Sequence, residues 1–239
     1  MLTRFLFISI LGLAGTQTFG ADMSRCARIV GRFHATQEWV GQVSRFATAR
    51  RLAATYHAGQ THGILTWKQH LVAIESILTG YGFGYFSTSD LKLRTILKLH
   101  DILEDTEIDL ARLKKTFQPD EVASVVRLTF PKSLPSNQRG MHLRATLPGD
   151  EMAKIAKITD RLANFEQSII DWHVRQDSFF LEKYIREWSD FGREIIPRDP
   201  RGRAMWEHLN RLTNDKTERQ AWFETRLRQN SVDAIAAFR

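Results

Sequence analysis

An all-α fold is what this sequence predicts. Three observations carry that expectation. Apolar residues recur every three or four positions through most of the 239 residues. No segment alternates apolar and polar residues as a half-buried strand does. Helix-starting Ser, Thr and Asp and helix-stopping Gly and Pro punctuate the chain at helical intervals.

The elements follow in order. From Thr36 to Gln60, the residues Trp39, Val43, Phe46, Ala49, Ala53 and Tyr56 form one apolar stripe, closed by His57. Gly59 and Gly63 break that helix, and Thr66 opens the next, in which His70, Ile74, Ile77 and Leu78 face one way until Gly80. The glycine- and aromatic-rich segment 80–86 is a loop. Ser87 and Asp90 read as a capping box for a helix that runs into Leu97–Thr106. Four ionisable groups crowd that stretch, with His100 standing over Glu104 and Asp101 over Asp105 one turn on. Thr106 and Asp109 read as a second box before Leu110, Leu113 and Phe117. Pro119, with Asp120 and Glu121, opens a helix that buries Val122, Val125, Val126 and Leu128. Residues 130–144 hold two prolines, serines and a glycine, and are expected to be the longest irregular connection and a candidate lid. Beyond Gly149, Met152, Ile155, Ile158, Leu162, Phe165 and Ile169 form a stripe, while Lys157, Asp160 and Asn164 share a second face. A helix over about Ser178–Phe191 follows. Pro197 and Pro200 then precede a helical tail.

Length and composition suit one domain with an appendage: 43% hydrophobic and 26% charged residues are globular values. Residues 1–22 stand apart from that domain as a leader. Arg4 followed by Phe5–Ala14 and a small or polar stretch has the layout of a secretory signal peptide, and is short for a membrane span. These residues alone do not choose between a cleaved signal that exports the protein to the periplasm and a misassigned or uncleaved leader on a cytoplasmic protein. The net charge of +7 suits an anionic partner without choosing its kind. In the tail, basic residues such as Arg203, Arg211 and Arg219 are interleaved with Glu207, Asp215 and Glu224, which reads as a solvated helix face, and no nucleic-acid partner is expected. Cys26 is the only cysteine, so one chain makes neither a disulfide nor a thiolate cluster, and any metal must rest on His, Asp and Glu.

The residues permit such a site. His57, the His100–Asp101 pair and Asp160 supply two imidazoles and two carboxylates from three helices, a mixed N/O set that suits Mn²⁺, Fe²⁺ or Zn²⁺ better than Ca²⁺. Neighbours on a helix point about 100° apart, so His100 and Asp101 are expected to straddle an ion. His70 reads as a packed, hydrogen-bonded core histidine, and His62 and His173 as surface residues.

Three segments carry a resemblance. YHAGQTHG (56–63), LKLHDILEDT (97–106) and KIAKITDRLAN (154–164), in that order, resemble the HD-domain (p)ppGpp hydrolases of the RelA/SpoT group, and their spacing is similar to that of the stand-alone small alarmone hydrolases of the metazoan SpoT homologue type. The resemblance covers roughly residues 35–175, which it implies are the HD hydrolase domain, and leaves outside it the leader over 1–22 and a C-terminal helical extension over 176–239. It implies an HD-type helical bundle that removes the 3′-pyrophosphate from a guanosine tetra- or pentaphosphate, with Mn²⁺ as cofactor. By motif it implies His57, His100, Asp101 and Asp160 as metal ligands, Glu104 and Asp105 as the catalytic acids, and Lys154, Lys157 and Asn164 as substrate contacts. Arg45 and Arg50 are further candidates, because a planar guanidinium stacks on a purine. Glu104 is the preferred base with Asp105 its partner, although the sequence does not separate them. The departures lie in THGILTWKQHL (61–71), where the family has basic residues and a Gly-x-Pro-Tyr-Ile-x-His-Pro segment. They leave open another nucleotide (a deoxynucleotide, a monophosphate or NADPH) or a catalytically silent binding module.

Overall fold

The structure is a computed structural model that describes residues 19–62 and 65–237. The leader-like residues 1–18 lie outside the described residues. Two compact units divide the chain, residues 1–41 and 42–239. In the first, residues 19–41 are helical, the opening part of α1 (Phe19–Tyr56). Everything below concerns the second unit.

Its elements are helical apart from one small ribbon. After α1 come β1 (Thr61–His62) and β2 (Leu65–Thr66), paired antiparallel with Thr61 opposite Thr66. Then follow α2 (Trp67–Gly80), α3 (Thr88–Leu99), α4 (Ile102–Asp105), α5 (Leu110–Thr116) and α6 (Pro119–Leu128). The second half holds α7 (Arg139–Thr146), α8 (Glu151–Arg175), α9 (Phe179–Phe191), α10 (Pro200–Asn214) and α11 (Lys216–Ala237). No described helix is long and apolar enough to cross a membrane.

The bundle is built around α8. Asp150 caps it, accepting from the Ala153 amide, and Gln176, with φ 59°, ends it in the left-handed region. It packs against α2, α3, α6, α9 and α10, so every residue from Ala153 to Phe165 is buried. A helix enclosed on all sides buries its polar face along with its apolar stripe. Lys154, Lys157, Asp160, Arg161 and Asn164 must therefore all find partners inside the protein.

The caps differ from expectation in two places. Ser87 does accept from the Asp90 amide, but the Asp90 carboxylate turns to the Gly84 amide at 2.8 Å and to Arg201 at 3.0 Å, so only half of that box forms. Asp109 alone caps α5, through the Arg112 amide; Thr106 instead donates to the Ile102 carbonyl and accepts from the Ile108 amide. Residues 130–144 are also less irregular than expected. A 3₁₀ turn at Ser136–Gln138 leads straight into α7. Gly140 allows this helix to lie against α9, because a Cβ there would come within 2.8 Å of the Asp190 Cβ.

Candidate metal centre and acidic cleft

The HD stretch is not one continuous helix. α3 ends at Leu99, Asp101 leaves the helical region with φ −106° and ψ 3°, and α4 restarts at Ile102. This break removes the 100° divergence that a regular helix imposes on neighbours. His100 Nε2 consequently lies 3.0 Å from Asp101 Oδ2, and 3.5 Å from Asp160 Oδ1 arriving from α8. His70, on α2, brings its Nε2 to 3.4 Å from the same Asp160 oxygen. His70, His100 and Asp160 each offer a donor atom within 4.8 Å of the others, and all three are buried. Two imidazoles and a carboxylate at that spacing make a possible divalent-metal site.

The hydrogen-bond pattern fixes which ring nitrogens are free to bind. His100 Nδ1 lies 2.8 Å from the Leu97 carbonyl, which can only accept, so the proton sits on Nδ1 and the Nε2 lone pair faces Asp101 and Asp160. A lone pair facing two carboxylates is repulsive unless a proton or a metal ion lies between them. Where the proton is the occupant, the two carboxylates outweigh burial and raise the His100 imidazole to about 10. Against burial, Lys157 and the two imidazoles hold Asp160 well below the usual carboxylate range. Lys157 Nζ lies 3.0 Å from Asp160 Oδ2, and the Asn164 amide donates to Oδ1 at 2.9 Å.

His57, expected as a ligand, is not one of the three clustered donors; His70, expected to be a packed core residue, takes a place there. The His57 ring stacks on Trp67 with 4.0 Å between centroids, and Trp67 stacks in turn on His100 at 5.5 Å. Gly59, with φ 79°, turns the chain beyond it and Gln60 folds back. Gln60 Nε2 donates to the Asp105 carbonyl, which leaves its oxygen facing His57 Nδ1 at 2.6 Å. His57 Nδ1 is therefore the protonated nitrogen, and its buried Nε2 carries a lone pair with no hydrogen bond. Burial lowers the pKa of this ring.

Beside the cluster opens a cleft of about 290 Å³ lined by Asp101, Glu104, Asp105, Lys157, Asp160 and Asn164. Glu104 accepts from the Phe130 amide at 3.3 Å and pairs with Arg139 Nη2 at 3.2 Å; burial and then Asp101 raise its pKa. Asp105 is exposed at the rim. Three further cations line the same space and were not legible in the sequence: Arg139 from α7, Arg161 from α8 and Lys183 from α9. Lys183, with its neighbours Tyr184 and Glu187, lies beyond residue 175, so the expected extension supplies part of the cleft wall. Arg161 ties that wall down through Glu187 at 2.7 Å.

Three expected substrate contacts lie elsewhere. Lys154 Nζ is held by Glu151 at 2.9 Å and the Ile196 carbonyl at 3.1 Å. Arg45 pairs with the fully buried Glu121 at 3.3 Å and donates to Gln42. Both are consumed by charge neutralisation inside the bundle. Arg50 lines a different cavity, between α1 and α2.

No protein-family model and no curated protein sequence matches the chain. Among solved structures, one aligns with a TM-score of 0.58 over 71% of this chain and 96% of that chain, at 20% identity. It is described as a metazoan ortholog of SpoT that hydrolyzes ppGpp and plays a role in starvation responses. The all-α architecture around the His–His–Asp cluster is thus similar to the HD-domain fold of a ppGpp hydrolase.

Proposed function

We propose that the chain is a metal-dependent phosphohydrolase that removes the 3′-pyrophosphate from (p)ppGpp. One observation carries the reading: a buried His–His–Asp cluster opens onto a cleft in which a half-buried glutamate faces several cations. His70, His100 and Asp160, with Asp101 beside them, are the residues that would hold the ion, Mn²⁺ being favoured over Fe²⁺ or Zn²⁺. A divalent ion in such a set supplies Lewis acidity and lowers the pKa of water near it.

The protein's own groups do the rest. Glu104, raised by burial and Asp101, is the base that orients water and takes its proton, with Asp105 at the rim as its partner. Hydrolysis breaks the bond between O3′ and phosphorus: the water oxygen bonds to phosphorus, and the ribose oxygen leaves with a proton. Lys157 and Arg139 neutralise charge on the phosphoryl oxygens, and the Arg139–Glu104 pair separates when a phosphate takes the guanidinium. Asn164 holds the Asp160 carboxylate in place. Because (p)ppGpp is an intracellular nucleotide, the reading goes with a cytoplasmic protein.

A second reading keeps the site and changes the nucleotide. Trp67 and the short ribbon before it replace the family's basic and proline-rich segment, and Lys154, Arg45 and Arg50 lie outside the cleft. Incubating the Mn²⁺-loaded protein with ppGpp, a deoxynucleoside triphosphate, a nucleoside monophosphate and NADPH distinguishes the two. Pyrophosphate and GDP from ppGpp support the first reading. Turnover of another nucleotide alone supports the second, and no turnover of any of them with any metal defeats both.

A further inference from the structure

A second cavity, roomier than the acidic cleft, lies elsewhere in this unit. It holds about 930 Å³ between α1 and α2, within the size range of small-molecule sites. Its walls are mostly apolar: Phe46 and Ala54 from α1, Leu71 and Val72 from α2, and the ring of Tyr85. Val72 is 59% exposed there, with no described residue covering it.

The charges along the cavity do not balance. Arg50, Lys68 and Lys98 line it, and Glu75 is the single lining carboxylate. Glu75 is already spent, because it contacts the Arg94 guanidinium behind it, accepts from the Tyr85 hydroxyl at 2.9 Å and pairs with Lys98 at 2.8 Å. Arg94 is fully buried and lies over the Tyr85 ring at 3.8 Å, so its charge also bears on this wall. Arg50 and Lys68 therefore face the space with no carboxylate of the described residues against them. An apolar hollow with surplus positive charge selects an amphipathic anion.

We propose that this cavity is a second ligand site, separate from the acidic cleft, that takes an organic anion with one charged head group on Arg50 and an apolar body against Phe46, Ala54 and Val72. Its lining includes His57 and Trp67, the ring that stacks on both His57 and His100, so an occupant touches a side chain in contact with the metal cluster. The site is independent of the nucleotide reading and stands or falls separately from it.

The test uses the full-length, Mn²⁺-loaded protein and the fluorescent anion 8-anilinonaphthalene-1-sulfonate. One saturable site is expected. Arg50→Glu, which reverses the head-group charge, and Ala54→Trp, which fills the space, each weaken it by about tenfold or more, the equivalent of about 1.4 kcal/mol. Both positions are solvent-accessible, and matching thermal unfolding of the variants shows that the fold is retained. Glu104→Gln leaves probe binding unchanged. Competition by guanosine monophosphate or by decanoate then separates an aromatic phosphate from an aliphatic carboxylate as the preferred ligand type. No saturable binding, or binding that survives both cavity variants, overturns the proposal. Probe release on Glu104→Gln with retention in the cavity variants places the anion in the acidic cleft and overturns it equally. Nucleotide hydrolysis measured on the same samples keeps the two conclusions distinguishable.

Discussion

Replacing Asp160 with asparagine removes one charge from the centre of the cluster while keeping its shape. In the metal-free protein Asp160 neutralises Lys157 at 3.0 Å and approaches His100 and His70 at 3.5 and 3.4 Å. Removing one partner of a buried ion pair costs about 3–5 kcal/mol, since the other charge stays behind without compensation. Here the lower end applies, because Lys157 also reaches the cleft and lies 5.5 Å from the Phe130 ring centroid. A loss of about 3 kcal/mol lowers the melting temperature of a chain this size by roughly 6–12 °C. Thermal unfolding in chelator measures it, and calorimetric Mn²⁺ titration measures the metal side, where loss of an anionic donor is expected to abolish tight binding. The double variant Lys157→Met with Asp160→Asn separates the effects. Relieved of its stranded ammonium, it recovers much of the melting temperature while metal binding stays lost. An Asp160→Asn protein that melts with the wild type and binds Mn²⁺ equally well would refute the reasoning.

Three further outcomes follow from the same geometry. The metal-free protein loses stability as pH rises: the His100 pKa is raised from 6.5 to about 10, so its contribution is complete below 6.5 and lost as pH climbs through about 10, while Mn²⁺ affinity moves the opposite way because the ion displaces that proton. Melting curves with chelator, and metal titrations in buffers of different ionisation enthalpy, check both signs. Glu104→Gln lowers kcat by about 10²–10⁴ and leaves Mn²⁺ affinity within a few-fold, as single-turnover assays and calorimetry read out. Arg45→Met costs about 2 kcal/mol in denaturant unfolding, by leaving buried Glu121 with only neutral donors, and does not change KM, since Arg45 lies outside the cleft.

How much of this was legible in the residues depends on the range of the interaction. The apolar stripe of α8, the capping Ser87 and the Pro119 helix start are local, and each lies where the pattern put it. The approach of His100 to Asp160 was legible too, because three helices with polar faces in an apolar setting have few ways to bury them together. Arg139 and Lys183 were not legible. An arginine at a helix start and a lysine on an amphipathic helix look like solvated surface until α7 and α9 fold over the cleft.

The sequence by itself determined the all-α class and the identity of the titratable groups, since helical period and residue chemistry are properties of short segments. The tertiary structure decided which histidine stands beside Asp160, and that the helix breaks at Asp101 so that two neighbours converge. It also decided which cations face the cleft and which are spent on Glu121 and Glu151. Those outcomes depend on burial and on partners tens of residues away. Spacing along the chain sets which face of a helix a side chain occupies, and only packing sets what that face meets.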